Sequence, residues 1–414
     1  MTDRSHWIPL TTSNVLAAHA LIKPYVYETP ILTSKTLNRI ASTPQSPQAL
    51  VGTPFEGQTP AQPKINFFFK CENFQRIGAF KPRGAFHALL RVVEVLGAEE
   101  MRKRGVVTHS SGNHAQALAL AASTLSIPAY IVMPSISTPS KIDGTRALGA
   151  KVIFSGSTSQ EREAVVATVI AETGAVLIPP YDHPDVVLGQ GTVGVEIDKQ
   201  VRELVEKDAR LSVHTRTGDD GGEGKSAAGK GTPGVLDAVI TPLGGAGLTS
   251  GVATYYYSSP TSSSTAGTPR TLVFGAEPSF QGGDDCRRGL EAGERITSVK
   301  TLTIADGLRT PVGEVGWSVV SDKEKVKGVF AVSEGQILDA MRLVLERMKV
   351  VIEPSAAVPL AVCLYNEGFR RVVEEECKRE GKSGWDVGVV FTGGNTTVER
   401  IAELFAGEKK EEAK

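Results

Sequence analysis

The sequence predicts an α/β protein built on a parallel sheet with helices on both faces. Two observations carry that expectation. Short β-rich runs alternate with helical patterns from Ile65 onward, and each run is brief and bounded by Gly, Pro or Ser, the pattern of strands joined through helical crossovers. A third observation sets the scale: 414 residues with 41% hydrophobic content suffice for two or three domains, each with its own core.

The predicted strands are, in order, Ile65–Phe69, Val106–His109, Ala129–Met133, Lys151–Phe154, Ala238–Thr241, Thr271–Gly275 and Val387–Phe391. Helices fill the intervals. Pro82 fits the first turn of one, where its missing N–H costs nothing, and an alanine-rich helix covers Gln116–Ala122. The clearest helix follows Ser333, where Ser-x-x-Gln makes a capping box and Ile337, Met341, Val344 and Met348 keep one apolar stripe. Three stretches break the rhythm: 41–63, rich in Pro, Gln and Thr; 214–233, rich in Gly, Lys and Asp; and 258–268, nearly all small polar residues. None can bury enough apolar surface to order itself. The α/β pattern resumes after each, so they read as surface insertions, and the tail Gly407–Lys414 reads as solvated.

With 45 basic against 46 acidic residues and a formal charge of -1, the chain has no field to hold nucleic acid or an anionic membrane. Small, roughly neutral partners are favoured. Cys71, Cys286, Cys363 and Cys377 form no C-x-x-C pair, so neither a disulfide framework nor a zinc site is expected, and a reducing compartment fits. Residues 1–10 carry no apolar run, and no later stretch approaches the roughly 18 apolar residues of a membrane span. The expected location is cytoplasmic.

Four segments carry chemistry, and a set of acids adds a candidate metal site. In Gly78-Ala79-Phe80-Lys81-Pro82-Arg83-Gly84-Ala85, Lys81 stands behind apolar residues at a helix start; a Schiff-base lysine needs a neutral amine, which burial or a nearby positive charge such as Arg83 supplies. Gly244-Gly245-Ala246-Gly247-Leu248 follows an apolar run and precedes a helix pattern, the arrangement in which backbone N–H groups cradle a phosphate. It fails the dinucleotide pattern, because Ser250 stands where the third glycine belongs. Ser110-Ser111-Gly112-Asn113-His114 lies between a strand and a helix, so its polar groups crowd a helix end suited to a carboxylate, although Ser and Asn there also serve as caps. Thr392 opens Thr-Gly-Gly-Asn395 at the carboxyl end of a strand, where α/β sheets bind ligands. Glu277 with Asp284 and Asp285 suits a hard divalent ion, or else caps a helix.

Together these segments resemble the pyridoxal-phosphate enzymes of the tryptophan synthase β family, and within it the serine racemase and serine/threonine dehydratase group. Further matches are Tyr181-Asp182-His183-Pro184, Gly189-Gln190-Gly191-Thr192, Ile304-Ala305-Asp306-Gly307 and Glu353-Pro354-Ser355, so the resemblance runs from about Thr29 to Ile401. It implies the type II fold of these enzymes, two open twisted mostly parallel sheets with helices on both faces. A large domain would span 1–103 and 182–414 and a small mobile domain 104–181, with the active site between them in a homodimer. The cofactor implied is pyridoxal 5'-phosphate. Lys81 would anchor it beside Phe80 and act as general base, with Ser111 on the opposite face. Asn113 would bond the ring hydroxyl, Thr392 would face the pyridine nitrogen, and Gly244, Gly245, Ala246, Gly247 and Leu248 would hold the phosphate, Ala246 replacing one of the family's four glycines. Ser110, Ser111, Gly112, Asn113 and His114 would hold the substrate carboxylate, His114 as a structural turn residue.

The resemblance also implies a Mg2+ or Ca2+ site at Glu277, Gly283 and Asp285, with two extra residues between Glu277 and the acids. Gln116, Lys349 and Asn395 match positions for ATP as an effector, but Leu148 stands where those racemases carry tyrosine. The activity implied is racemisation of serine, its α,β-elimination to pyruvate and ammonia, or both. L-threonine or 3-hydroxyaspartate dehydration is the alternative, and a catalytically silent cofactor-binding protein stands further off. Ser110 and His114 depart from the Thr-Ser-Gly-Asn-Thr loop of the β-replacement synthases.

Overall fold

The computed structural model describes residues 6–110, 112–137, 139–156, 158–214, 232–257 and 271–411. Ten strands form two sheets: β1 (Ile31–Leu32), β2 (Ile65–Cys71), β3 (Val106–His109), β4 (Ala129–Pro134), β5 (Lys151–Ser155), β6 (Val176–Leu177), β7 (Ala238–Pro242), β8 (Leu272–Pro278), β9 (Gly328–Val332) and β10 (Trp385–Phe391). The larger sheet has the order β1-β2-β10-β7-β8-β9 and is parallel except for β1; the smaller, β5-β4-β3-β6, is parallel throughout. Every strand of the smaller sheet falls within residues 106–177. The chain is therefore an α/β protein with two mostly parallel sheets.

All seven expected strands are present. The three not anticipated are β1 and β6, two residues each and too short to show a period, and Gly328–Val332, a run that follows the charged stretch 322–327. The run Ile65–Cys71 is apolar almost throughout because both of its faces are covered: Phe67 and Phe69 enter one core with Val387, Val389 and the helix Pro354–Tyr365, while Phe68 enters the other with Val239, Val390 and the helices Pro184–Lys207 and Gly247–Tyr257. A strand between two helical layers has no solvated face to mark with polar residues.

The capping box forms at Ser333 and Gln336, and its helix Glu334–Leu343 continues as a π-helical turn over Val344–Met348, closed by Lys349 at φ 61°. The stretch 41–63 takes its order from partners elsewhere. Arg370 donates to the carbonyls of Ala41, Thr43 and Ala61, Glu367 accepts from Gln45 and from the Ala61 N–H, and Leu50 is buried. Little apolar surface is needed when a buried guanidinium supplies the hydrogen bonds. Of the other two insertions, 258–268 and nearly all of 214–233 lie outside the described residues. The helix Val398–Glu411 runs into the tail as far as residue 411. Among the described residues no helix is long and apolar enough to cross a membrane.

β2, β10 and β7 are parallel neighbours, so the loops leaving their carboxyl ends, at 72–81, 392–395 and 243–247, emerge side by side. Three of the four motifs meet there.

Candidate active site

Lys81 is the N-cap of the helix Pro82–Leu96, with Pro82 in its first turn. The preceding loop turns through Ile77 and Gly78 at φ 61° and 72°. A Cβ on Gly78 would fall 2.6 Å from Asn395 Oδ1, so glycine is required there by conformation and by space. Backbone bonds tie this loop to the turn after β10: Phe80 N donates to Thr392 O at 3.0 Å and Gly394 N to Gly78 O at 2.9 Å. Lys81 Nζ donates to the Pro180 carbonyl at 2.9 Å and lies 5.1 Å from the centroid of the Phe80 ring. Burial pulls its pKa down to about 8, with the carboxyl of Glu353 opposing.

The sequence reading gave Arg83 a share in that effect, and this is corrected. Arg83 turns away into the core, where its guanidinium forks between Glu72 and Glu196 with four contacts of 2.7–2.8 Å. A cation so neutralised puts no field on the amine, and burial does the work.

Asn113 begins the helix Asn113–Thr124. Its Nδ2 donates to Glu353 Oε1 at 2.9 Å and its Oδ1 accepts from Asn395 Nδ2 at 2.8 Å, so the amide is oriented from both sides. Burial, then the charge of Asp306, pushes Glu353 up to about 8. Glu353 caps the helix Pro354–Tyr365 and its N–H donates to Gly393 O. The sequence reading gave Glu353 no role at the site. A buried acid ahead of a helix-start proline in Glu-Pro-Ser was the signal available.

The helix Gly247–Tyr257 opens at the glycine loop. A Cβ on Gly244 would lie 3.0 Å from Leu308 Cα, and one on Gly245 would lie 2.2 Å from the Tyr181 ring. Ala246 adopts φ 68°, a left-handed conformation that costs alanine about 1 kcal/mol relative to glycine. Leu248 is buried just inside the helix, and Thr392 is buried at the end of β10.

In the 110–114 loop, Ser110 N donates to Val132 O and Ser110 Oγ accepts from Gly112 N at 3.2 Å. Ser111 lies outside the described residues. His114 is a buried core residue whose Nε2 faces the Ile178 carbonyl at 3.2 Å, and burial pulls its pKa to about 3. It is neutral at working pH, as a structural role requires.

At the acidic cluster, Glu277 accepts the N–H groups of Cys286 and Arg287, capping the helix Asp285–Ala292, and Asp285 accepts from Val312 N. Asp284 is taken up by Arg287 and Arg288. Burial and their mutual charge raise Glu277 well above the carboxylate range, and burial brings Asp285 to about 6. Gly283 ends the turn Phe280–Gly282, within which Gln281 takes φ 49°. Among the described residues no group of three or more His, Cys, Asp or Glu is placed to hold a metal; the expected set has only two acidic side chains.

The donors suit pyridoxal phosphate. They are an amine with its pKa brought down to about 8, a glycine loop where side chains at 244 and 245 would collide, an amide fixed at both ends, and a neutral hydroxyl at a strand end.

The family model described as pyridoxal-phosphate dependent enzyme matches residues 49–393. A serine racemase from Arabidopsis thaliana is 36% identical over 396 residues, 96% of each chain. An L-threo-3-hydroxyaspartate ammonia-lyase from Saccharomyces cerevisiae is 34% identical over 96% of this chain and 97% of its own. The structure of maize serine racemase superposes with a TM-score of 0.71 at 32% identity, covering 98% of this chain and 99% of the other. The chain thus belongs to the family of pyridoxal-phosphate dependent enzymes.

Proposed function

We propose that this enzyme acts on L-serine, racemising it to D-serine and eliminating its hydroxyl to give pyruvate and ammonia. The observation that carries the reading is Lys81, an amine with its pKa at about 8, held on the carbonyl of Pro180 next to Tyr181, which packs on the glycine loop, and under the influence of Glu353, which accepts from Asn113. Bound pyridoxal phosphate supplies an electron sink for the bonds to the substrate α-carbon. Lys81 Nζ would anchor it and, as a free amine, would accept the α-proton. Asn113 holds the ring hydroxyl, the loop 244–248 holds the phosphate, and the N–H groups at the start of the helix Asn113–Thr124 receive the substrate carboxylate. Thr392 would offer the ring nitrogen a neutral hydroxyl and no carboxylate, a partner that suits elimination better than transamination. Ser111 delivers a proton to the face opposite Lys81. The segment 104–181 moves as a small domain over this site, supported by the smaller sheet, all four of whose strands fall within residues 106–177.

A second reading, elimination from L-threo-3-hydroxyaspartate, is favoured by the near full-length similarity to the yeast ammonia-lyase. Assaying L-serine, L-threonine and L-threo-3-hydroxyaspartate side by side for keto acid and for D-amino acid decides between them. Turnover of hydroxyaspartate alone overturns the serine reading. Ser111→Ala is expected to remove D-serine formation while sparing much of the L-serine elimination; an unchanged ratio in a folded variant removes Ser111 from the mechanism.

Three further parts belong to the proposal. Glu277, the Gly283 carbonyl and Asp285 bind Mg2+ or Ca2+, supported by two buried acids that have no basic partner among the described ion pairs. The enzyme is a cytoplasmic homodimer, supported by four free cysteines and by exposed Tyr27, Phe74, Val351 and Val398. ATP binds as an effector at the cavity of about 370 Å³ lined by Gln116, Ile77 and Leu148, with Asn395 donating to the Ile77 carbonyl at 2.8 Å. Stabilisation by ATP in a thermal melt, abolished by Gln116→Ala, tests it.

A further inference from the structure

We propose that Tyr181 and Asp182, where the chain returns from the smaller sheet to the larger, form a clamp that shapes the phosphate loop and sets how tightly the cofactor seats. This rests on the pyridoxal-phosphate reading of residues 244–248 and adds what holds that loop in its receiving shape.

One jaw is Tyr181. A Cβ on Gly245 would fall 2.2 Å from its Cδ2, and one on Gly247 would fall 3.3 Å from its Cβ and carbonyl oxygen, so the residue covers the loop across two glycines. The other jaw is the short helix Glu314–Val320. Gly313 N donates to Gly245 O at 3.3 Å, and a Cβ on Gly316 would meet Ala246 Cβ at 2.8 Å and Gly245 O at 3.0 Å. Ser250 Oγ, one turn into the helix that follows the loop, donates to Gly316 O at 3.2 Å. Asp182 joins the jaws: its Oδ2 accepts from Glu314 N at 2.9 Å and its Oδ1 from Val315 N at 2.8 Å, with Gly313 packed against the carboxylate.

The loop needs such support because of Ala246. Glycine visits positive φ freely, whereas alanine at φ 68° persists only where its surroundings over-determine it. Without the jaws a Gly-Gly-Ala-Gly segment spreads over many conformations, and a ligand must then collect it at an entropic cost. Ordering the loop in advance moves that cost from binding to folding.

The test uses the apoprotein and holoenzyme of full-length variants. Asp182→Ala and Tyr181→Ala are expected to weaken both pyridoxal phosphate, followed by its absorbance band, and inorganic phosphate, followed by thermal shift, each by about tenfold. Tyr181→Phe keeps the ring and is expected to bind more tightly than Tyr181→Ala. Ala246→Gly added to Asp182→Ala is expected to recover about threefold or more, because glycine needs less holding. Asp182→Asn, which retains one acceptor, serves if Asp182→Ala does not fold. Unchanged affinities in folded variants overturn the clamp, and so does a loss that Ala246→Gly fails to repair, since a general loss of stability would not respond to backbone freedom at one loop residue. Failure of the cofactor reading is distinct: the wild type would then show no band with pyridoxal phosphate, or Lys81→Ala would show the same one.

Discussion

Two lysines near the end of β2, Lys70 buried and Lys81 half-buried, meet opposite fates. Lys70 donates to Glu196 at 2.6 Å, to Gln200 at 2.9 Å and to the Thr29 carbonyl at 2.7 Å. Glu196 also shares the Arg83 guanidinium, whose other edge is held by Glu72. Two cations and two carboxylates close on themselves. Lys81 has one described acceptor, the Pro180 carbonyl, and the acid that opposes its lowered pKa is Glu353, itself raised to about 8. Burial is the first cause of a lowered pKa in both lysines, but Glu72 and Glu196 pull Lys70 back. Burial alone therefore does not make a lysine available for chemistry. Burial without a matching counter-charge does.

The comparison breaks most sharply at Lys81→Ala. Turnover of the substrate to keto acid and to D-amino acid is expected to fall by more than about 10⁴-fold, the upper range for a general base, because the covalent anchor goes with it. The fold should survive by circular dichroism, and wild-type pyruvate formation would end the mechanism.

Lys70→Met should do the reverse. Leaving Glu196 short of a cation in the core is expected to cost about 3–5 kcal/mol in urea unfolding, while the cofactor band keeps its wild-type position. A folded Lys70→Met protein with a bleached band would show that the two lysines are not separable in this way.

Glu277 and Asp285 extend the comparison to unbalanced acids. If a divalent ion supplies their missing counter-charge, chelation is expected to lower the melting temperature, and Mg2+ or Ca2+ at 100 times its Kd to restore about 2.7 kcal/mol. An unchanged melt would leave the two acids as helix-capping groups.

The smallest effect per step is in pH. Folded Glu353 holds its proton up to about pH 8, whereas the unfolded side chain releases it at 4.5, so apoprotein stability should fall as pH rises across that window. Lys81 binds its proton less readily when folded, at about 8 against 10.5, so stability should rise again from about pH 8 to 10.5. Each of these two groups contributes a slope of at most about 1.4 kcal/mol per pH unit. Glu353→Gln should make the fall between about pH 6 and 8 shallower and leave the second limb, as read by urea unfolding at stepped pH, because Glu277 and Asp285, also raised by burial, keep the remainder of the first limb; a first limb with its wild-type slope would place the titration elsewhere.

Much of this was legible in the residues. Strand-forming runs between Gly, Pro and Ser specified the α/β class and seven of the ten strands, because local sterics and two-sided burial write themselves into composition. Lys81, Asn113, the loop 244–248 and Thr392 could be nominated because glycine, amide and amine chemistry at strand ends and helix starts is a local pattern. The same pattern left Glu277 readable as a cap or a ligand, and Arg83 as a neighbour able to perturb Lys81.

Only the tertiary structure decided which charges meet. It sent Arg83 into Glu72 and Glu196, oriented Asn113 between Glu353 and Asn395, and packed Tyr181 on Gly245. These partners stand from 11 positions apart, for Arg83 and Glu72, to 282, for Asn113 and Asn395. Coulomb energy and desolvation depend on distance in space and on exclusion of water, and neither is written in the order of the residues.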